Sequence, residues 1–172
     1  MEYRFGMLLG LTAGILAGVA FMVLLFKKKV LDMHFDERQE RARGKAFQYG
    51  FFSLLVALFT YGLSDILLGH WCDALAGVSF CAALGLCVFA ITCILKDAYL
   101  SLREKPRQIM TMFLLLAAVN LGIGGVYLCS GELVENGVLT FRAVNPIMGA
   151  AILVILLVYI VNYLLRDREE AE

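Results

Sequence analysis

The chain alternates long apolar segments with short polar ones. Five apolar segments each reach about 20 residues, the length that an α-helix needs to cross the hydrocarbon core of a membrane. We predict one transmembrane helix for each of residues 5–26, 46–68, 74–95, 109–129 and 147–165. The first segment is longer than the apolar part of a signal peptide and is followed by three Lys residues, so we predict that it is a retained span.

The polar connections complete an all-α membrane domain with one small β-hairpin. The connections on one side are residues 27–45, 96–108 and the tail 166–172, and those on the other side are residues 69–73 and 130–146. The longest loop of the second side contains Asn-Gly between β-forming residues, which predicts the hairpin. Asn145 and Pro146 then predict the N-cap and the first position of the fifth helix. We therefore predict a single domain over residues 1–172.

The composition indicates a lipid environment. Hydrophobic residues make up 61% of the 172 residues and charged residues 17%, whereas soluble domains average nearer half apolar. The formal net charge is zero, so the chain offers no basic surface of the kind that nucleic acids require. We expect the lipid bilayer to surround this protein, and we expect no nucleic-acid partner.

Lys and Arg are distributed unequally between the two sides of the predicted membrane domain. Thirteen of the 15 fall on the side of residues 27–45, and only Arg4 and Arg142 fall on the other. Cytoplasmic loops carry an excess of Lys and Arg. We therefore predict that the N-terminus and the hairpin lie outside and that the C-terminus is cytoplasmic.

Glycines recur at every fourth position of the first predicted helix, and a shorter strip runs along the third. The glycines of the two strips are Gly6, Gly10, Gly14 and Gly18, then Gly77 and Gly85. A strip of small residues lets a second helix backbone approach closely. Two interpretations stay open: the strips pack against this protein's own helices, or they dock a membrane-protein partner or a second copy.

The first cytoplasmic loop carries a charged motif that leads into the second span. Its residues are Asp36, Glu37, Arg38, Gln39 and, further on, Lys45. Asp36 with Gln39 three residues later is typical of a capping box, so we predict a helix that starts here and continues into the span. The motif is either a solvated helix facing lipid headgroups or a docking surface.

This motif, followed by Gly44-Lys45-Ala46 at the entry of a helix, resembles a group of small multipass membrane proteins of Gram-positive bacteria. The stretch Gly-Val-Leu-Thr-Phe-Arg at residues 137–142, followed by Asn145, is similar to the same group. That group has no settled activity. The resemblance therefore implies a bacterial plasma membrane and no particular function.

The candidate polar site consists of Asp65, His70 and Asn120, and Asp73, Glu132 and Glu135 could join Asp65 and His70 in a cation or proton site on the outer side. Asp65 is the only Asp, Glu, Lys or Arg within the predicted spans, and His70 follows it on the outer side. Asn120 lies at mid-depth of the fourth span. A carboxylate within a span is a functional candidate. The alternatives are a solvated outer rim for Asp65 and an interhelical hydrogen bond for Asn120.

The remaining chemistry-bearing residues show no catalytic, metal-binding or cofactor-binding pattern. The two His residues fall on opposite sides of the predicted membrane, so they cannot ligate one haem together. The five Cys residues contain no C-x-x-C pair. A disulfide between Cys72 and Cys129, both near the outer face, stays open. We expect no catalytic residue, no metal and no cofactor.

These features favour a non-enzymatic accessory or scaffolding subunit that docks through helix packing and its charged cytoplasmic loop. The alternative is a small transporter or ion-conducting protein centred on Asp65 and Asn120. A membrane enzyme is the third possibility.

Overall fold

Five α-helices account for most of the chain. The computed structural model describes residues 2–27, 35–101 and 105–169. The helices are α1 (Glu2–Lys27), α2 (Glu37–Leu68), α3 (Ala74–Leu95), α4 (Pro106–Cys129) and α5 (Val144–Glu169). Within this part of the chain, α2, α3, α4 and the segment Phe141–Leu165 are long and apolar enough to cross a membrane. In α1 the apolar stretch covers Thr12–Leu24. Each predicted apolar segment falls within one of these helices.

The predicted hairpin is present between α4 and α5. Strand β1 (Val134–Glu135) pairs antiparallel with β2 (Val138–Leu139). The two turn residues, Asn136 and Gly137, have φ of 52° and 80°, as a tight two-residue hairpin turn requires. We call this end of the molecule the hairpin end.

The hairpin is bonded to the connection between α2 and α3. The Leu139 N–H donates to the Trp71 carbonyl at 2.9 Å, and the Leu139 carbonyl accepts from the Asp73 N–H at 2.8 Å. Cys72, between those two residues, forms a parallel bridge with Leu139. The connection therefore acts as a third short strand beside the hairpin.

Helix α2 begins as the sequence predicts. The Asp36 Oδ1 atom accepts a hydrogen bond from the Gln39 N–H at 2.6 Å, and the Gln39 Oε1 atom accepts one from the Asp36 N–H at 3.3 Å. This reciprocal capping box satisfies two N–H groups that have no acceptor within the helix. Its presence confirms the predicted helix start.

Helix α5 begins earlier than predicted. A 3-10 helix over Phe141–Ala143 leads directly into α5 at Val144. The prediction that Asn145 is the N-cap is therefore wrong. Pro146 still lies in the first turn of α5, where its missing N–H would have no helical acceptor.

The four helices α2 to α5 pack in the spatial order α2, α3, α5, α4. In two of the helix pairs, α2 with α3 and α4 with α5, the helices approach each other closely at a glycine. A Cβ added to Gly50 of α2 would lie 2.8 Å from the carbonyl oxygen of Gly85 on α3, and one added to Gly124 of α4 would lie 2.7 Å from Pro146 Cβ on α5. Small residues thus set the helix separations, as expected where lipid supplies no hydrophobic drive between helices.

Candidate functional site

A groove of about 960 Å³ runs between α2 and α3 from mid-helix to the hairpin end. Its lining comes from α2, from α3, from the connection between them, and from one residue each of β2 and α5. These residues are Phe52, Ser53, Val56, Ala57, Thr60, Tyr61, Ser64, Trp71, Cys72, Gly77, Phe80, Cys81, Leu84, Val88, Leu139 and Ile147. We call it the α2–α3 groove.

The pattern of large and small residues on α2 and α3 creates this groove. Small residues one turn apart, Ser53 and Ala57 on α2, line the groove and are partly exposed, so they give a low floor. Large apolar side chains such as Val56 and Phe80 stand beside the floor, with 66% and 50% of their surface exposed. A Cβ on Gly77 would overlap the ring of Tyr61, so glycine at this position is what admits the tyrosine between the helices.

The polar groups at the hairpin end of the groove are bonded within the chain. The Tyr61 hydroxyl donates to the Cys72 carbonyl at 3.2 Å, and the indole N–H of Trp71 donates to the Ser64 hydroxyl at 3.0 Å. The Ser64 hydroxyl in turn donates to the Tyr61 carbonyl at 2.7 Å, and the Thr60 hydroxyl donates to the carbonyl four residues earlier at 2.8 Å. Groups bonded in this way need no external partner, so the groove offers mainly apolar surface.

A compact cap closes the groove at the hairpin end. Cys72, Ala76 and Ala143 form a small buried core under the hairpin. The carboxylate of Asp73 accepts a hydrogen bond from the Phe141 N–H at 2.9 Å. These contacts hold the cap in one position, so the groove opens sideways between the helices.

The Cys72 thiol lies within this cap. Burial raises the pKa of Cys72, and the nearby carboxylates of Asp73 and Asp65 raise it further. Because the thiolate is the reactive form, a thiol with a raised pKa is a poor nucleophile at neutral pH.

Cys72 is buried and Cys129 is exposed, and both are free. The disulfide between them that the sequence left open is therefore not formed.

The structure brings together two of the three residues of the candidate polar site. His70 Nδ1 lies 3.3 Å from Asp65 Oδ1 at the hairpin end, where the His70 side chain is 60% exposed and the Asp65 side chain 40% exposed. Asn120 lies on α4, at the other end of the helix row from α2, and its amide donates to the Leu116 carbonyl of its own helix at 2.8 Å. Asp65 and Asn120 therefore do not form one site.

The charged motif before the second span holds a loop at the opposite end of the molecule. The buried Gln39 amide donates to the carbonyls of Asp97 and Leu100 at 2.8 and 3.3 Å. These carbonyls belong to the connection between α3 and α4, the α3–α4 loop, in which Asp97 has φ of 54°. Gln39 thus caps its own helix and fixes this loop, which we call the loop end of the molecule.

Arg43 joins Gln39 in holding the α3–α4 loop, and sequence reasoning missed it. Its guanidinium donates to the Ala98 carbonyl at 3.0 Å and lies 4.0 Å from the ring centre of Phe35. The spacing of four residues from Gln39 was the available signal, because residues four apart share a helix face. Arg38 and Lys45 of the motif are exposed instead, and Glu37 forms an exposed ion pair within α2.

The predicted glycine strips have different surroundings. Gly77 and Gly85 lie in the contact between α3 and α2. Gly14 and Gly18 of α1 have open space where a Cβ would be. Gly6 and Gly10 also lie on α1, but their surroundings fall outside what the structure describes.

No protein-family model, no curated protein and no solved structure matches this chain.

Proposed function

We propose that this protein is a non-enzymatic accessory or scaffolding subunit that binds a transmembrane helix of another membrane protein in the α2–α3 groove. The groove carries the proposal, because its walls are mainly apolar and the polar groups at its hairpin end are bonded within the chain. A surface of this kind suits an apolar chain or helix better than a hydrated ion or polar solute.

The proposal includes five transmembrane helices in a bacterial plasma membrane. The hairpin end would face outward. Between the start of α2 and the end of α5, the connections at this end contain a single Lys or Arg, which is Arg142. The loop end would be cytoplasmic, because it carries the start of α2 and the α3–α4 loop with most of the basic residues. In this orientation the groove lies in the outer half of the bilayer.

A transporter centred on Asp65 and Asn120 has less support. Those two residues lie on helices at opposite ends of the packed row. Neither residue lines the α2–α3 groove. A partly exposed carboxylate beside a largely exposed imidazole is better explained as a solvated rim, where an ion pair contributes little.

Photo-cross-linking in native membranes tests the proposed function. A photoreactive amino acid replaces Val56 or Phe80 in the groove, and Phe59 on α2 is the control, because it is exposed but does not line the groove. We expect both groove positions to capture the same protein through a peptide of one of its transmembrane segments. Equal capture from Phe59, or adducts with lipid alone from every position, would refute the proposal.

A groove-filling variant provides the matched comparison. Ala57→Phe places a ring in the groove, whereas Ala118→Phe places the same ring on the exposed face of α4. We expect the first substitution to abolish capture of the partner helix at Phe80 and the second to leave capture unchanged.

A further inference from the structure

Helix α1 is 26 residues long, and the part of its glycine strip that the structure describes is open. Among the residues whose side chains the structure describes, Leu16, Phe21 and Leu24 point in different directions around α1 and are 70%, 59% and 53% exposed. A Cβ added at Gly14 or Gly18 would meet no atom within 4 Å. Helices in a membrane associate through close packing of such small-residue faces, so α1 carries an unused contact face.

The glycine strip of α1 and the α2–α3 groove have the same length. Gly18 lies twelve positions after Gly6 in the strip, and Ser64 lies twelve positions after Phe52 on the α2 wall of the groove. At 1.5 Å per residue each is about 18 Å long. A helix seated on its glycine face could therefore fill the whole groove.

The strip and the groove also lie at the same depth. Gly6 is four residues from the start of α1 at Glu2, and Ser64 is four residues from the end of α2 at Leu68. In the proposed topology both of those helix ends are at the outer face. The two surfaces then extend inward from the same level, as two contacting helices require.

The shapes of the two surfaces are complementary. Phe52 and Phe80 project beside a floor that contains Ser53 and Ala57. A helix face without side chains can approach that floor, while the projecting rings cover its flanks. Filling the groove with a helix also restores van der Waals contacts that a void forfeits and releases ordered lipid chains.

We propose that α1 occupies the α2–α3 groove of its own chain, with Gly14 and Gly18 facing the floor, and that a partner helix must displace it. Residues 28–36 separate α1 from α2, and nine residues can span up to roughly 30 Å. A tether this short gives the chain's own α1 a high effective concentration at the groove. The competition between α1 and a partner rests on the proposed function, whereas the docking of α1 rests only on the proposed topology.

Photo-cross-linking from Phe80, analysed in two differently tagged copies expressed together, tests where α1 docks. We expect an adduct at the mass of one chain that joins a peptide of α1 to a peptide of α3, and no such adduct from Phe59. An adduct at the mass of two chains that carries both tags would assign the groove to α1 of a second copy and overturn the proposal. Adducts that contain lipid but no α1 peptide would also overturn it.

Variants on two faces of α1 test the orientation and the competition. Gly14→Leu with Gly18→Leu places large side chains on the proposed contact face, and Val19→Leu with Val23→Leu places the same residue on the other side of the helix. We expect the glycine-face variant to lose the α1–α3 adduct and to increase capture of the partner helix, while the control changes neither. Loss of the adduct in both variants, or in neither, would overturn the proposed orientation.

The two proposals fail in distinguishable ways. An α1–α3 adduct without partner capture in any variant would refute the proposed function and its competition, and would leave α1 docked in the groove. Partner capture at Val56 and Phe80 without any α1 adduct would refute the docking of α1 and would leave the proposed function standing.

Discussion

The glycine contact between α2 and α3 gives the sharpest stability prediction. An added Cβ at Gly50 would lie 2.8 Å from the Gly85 carbonyl oxygen and 3.0 Å from Phe89 Cβ. The nearest atom belongs to a backbone that cannot rotate away, so Gly50→Ala must push α2 and α3 apart. Overpacking of this kind costs about 1–3 kcal/mol. Replacing glycine by alanine inside a helix also contributes about 1 kcal/mol of opposite sign.

Gly62→Ala separates these two effects. Gly62 lies on the same helix, and a Cβ there would meet nothing within 4 Å, so this variant carries the helix-propensity gain alone. We expect the free energies of unfolding of the two variants to differ by about 1–3 kcal/mol, which is roughly a 5- to 150-fold difference in the unfolding equilibrium constant. Equilibrium unfolding of the purified variants in mixed detergent and SDS, followed by circular dichroism, measures this difference. Equal stability of Gly50→Ala and Gly62→Ala would refute the close contact.

Three further predictions concern the two ends of the molecule. Gln39→Ala removes the capping-box bond from the Asp36 N–H and two bonds to loop carbonyls. We expect it to cost about 1–3 kcal/mol and to speed hydrogen exchange in the α3–α4 loop. Exchange no faster than in the exposed control Glu37→Ala would contradict the role of Gln39. In intact cells, an impermeant maleimide should label the exposed Cys129 and not the buried Cys72. If Cys129 is labelled only after the membrane is permeabilised, the proposed orientation is reversed. Asp65→Asn should change the free energy of unfolding by less than about 1 kcal/mol, because both side chains of the Asp65–His70 pair reach solvent. A larger loss of stability would show that this carboxylate has a structural role.

Local features of this protein could be predicted because they depend on residues close together in sequence. The apolar segments predict the helices through their length alone. The Asn136-Gly137 dipeptide predicts the hairpin because both positions need positive φ. The pair of Asp36 and Gln39 predicts the start of α2 because a capping box forms within one turn.

The start of α5 shows where local signals fail. Asn145 and Pro146 are a typical helix start, yet the chain enters α5 through a 3-10 turn at Phe141–Ala143. Ala143 is buried in the core under the hairpin. The packing of this turn, rather than the cap preference of Asn145, determines where the helix begins.

Only the tertiary structure decided which faces of the helices meet. In a transmembrane helix every face is apolar, so hydrophobic periodicity does not mark the packed one. The sequence drew attention to glycine strips on α1 and α3, and Gly85 of the second strip forms the close backbone contact, but its partner Gly50 on α2 was not singled out. It grouped Asp65 with Asn120, which the helix order separates. The α2–α3 groove is formed by side chains from both helices and from the hairpin cap. These residues are distant in sequence, so only the folded structure shows that they line one groove.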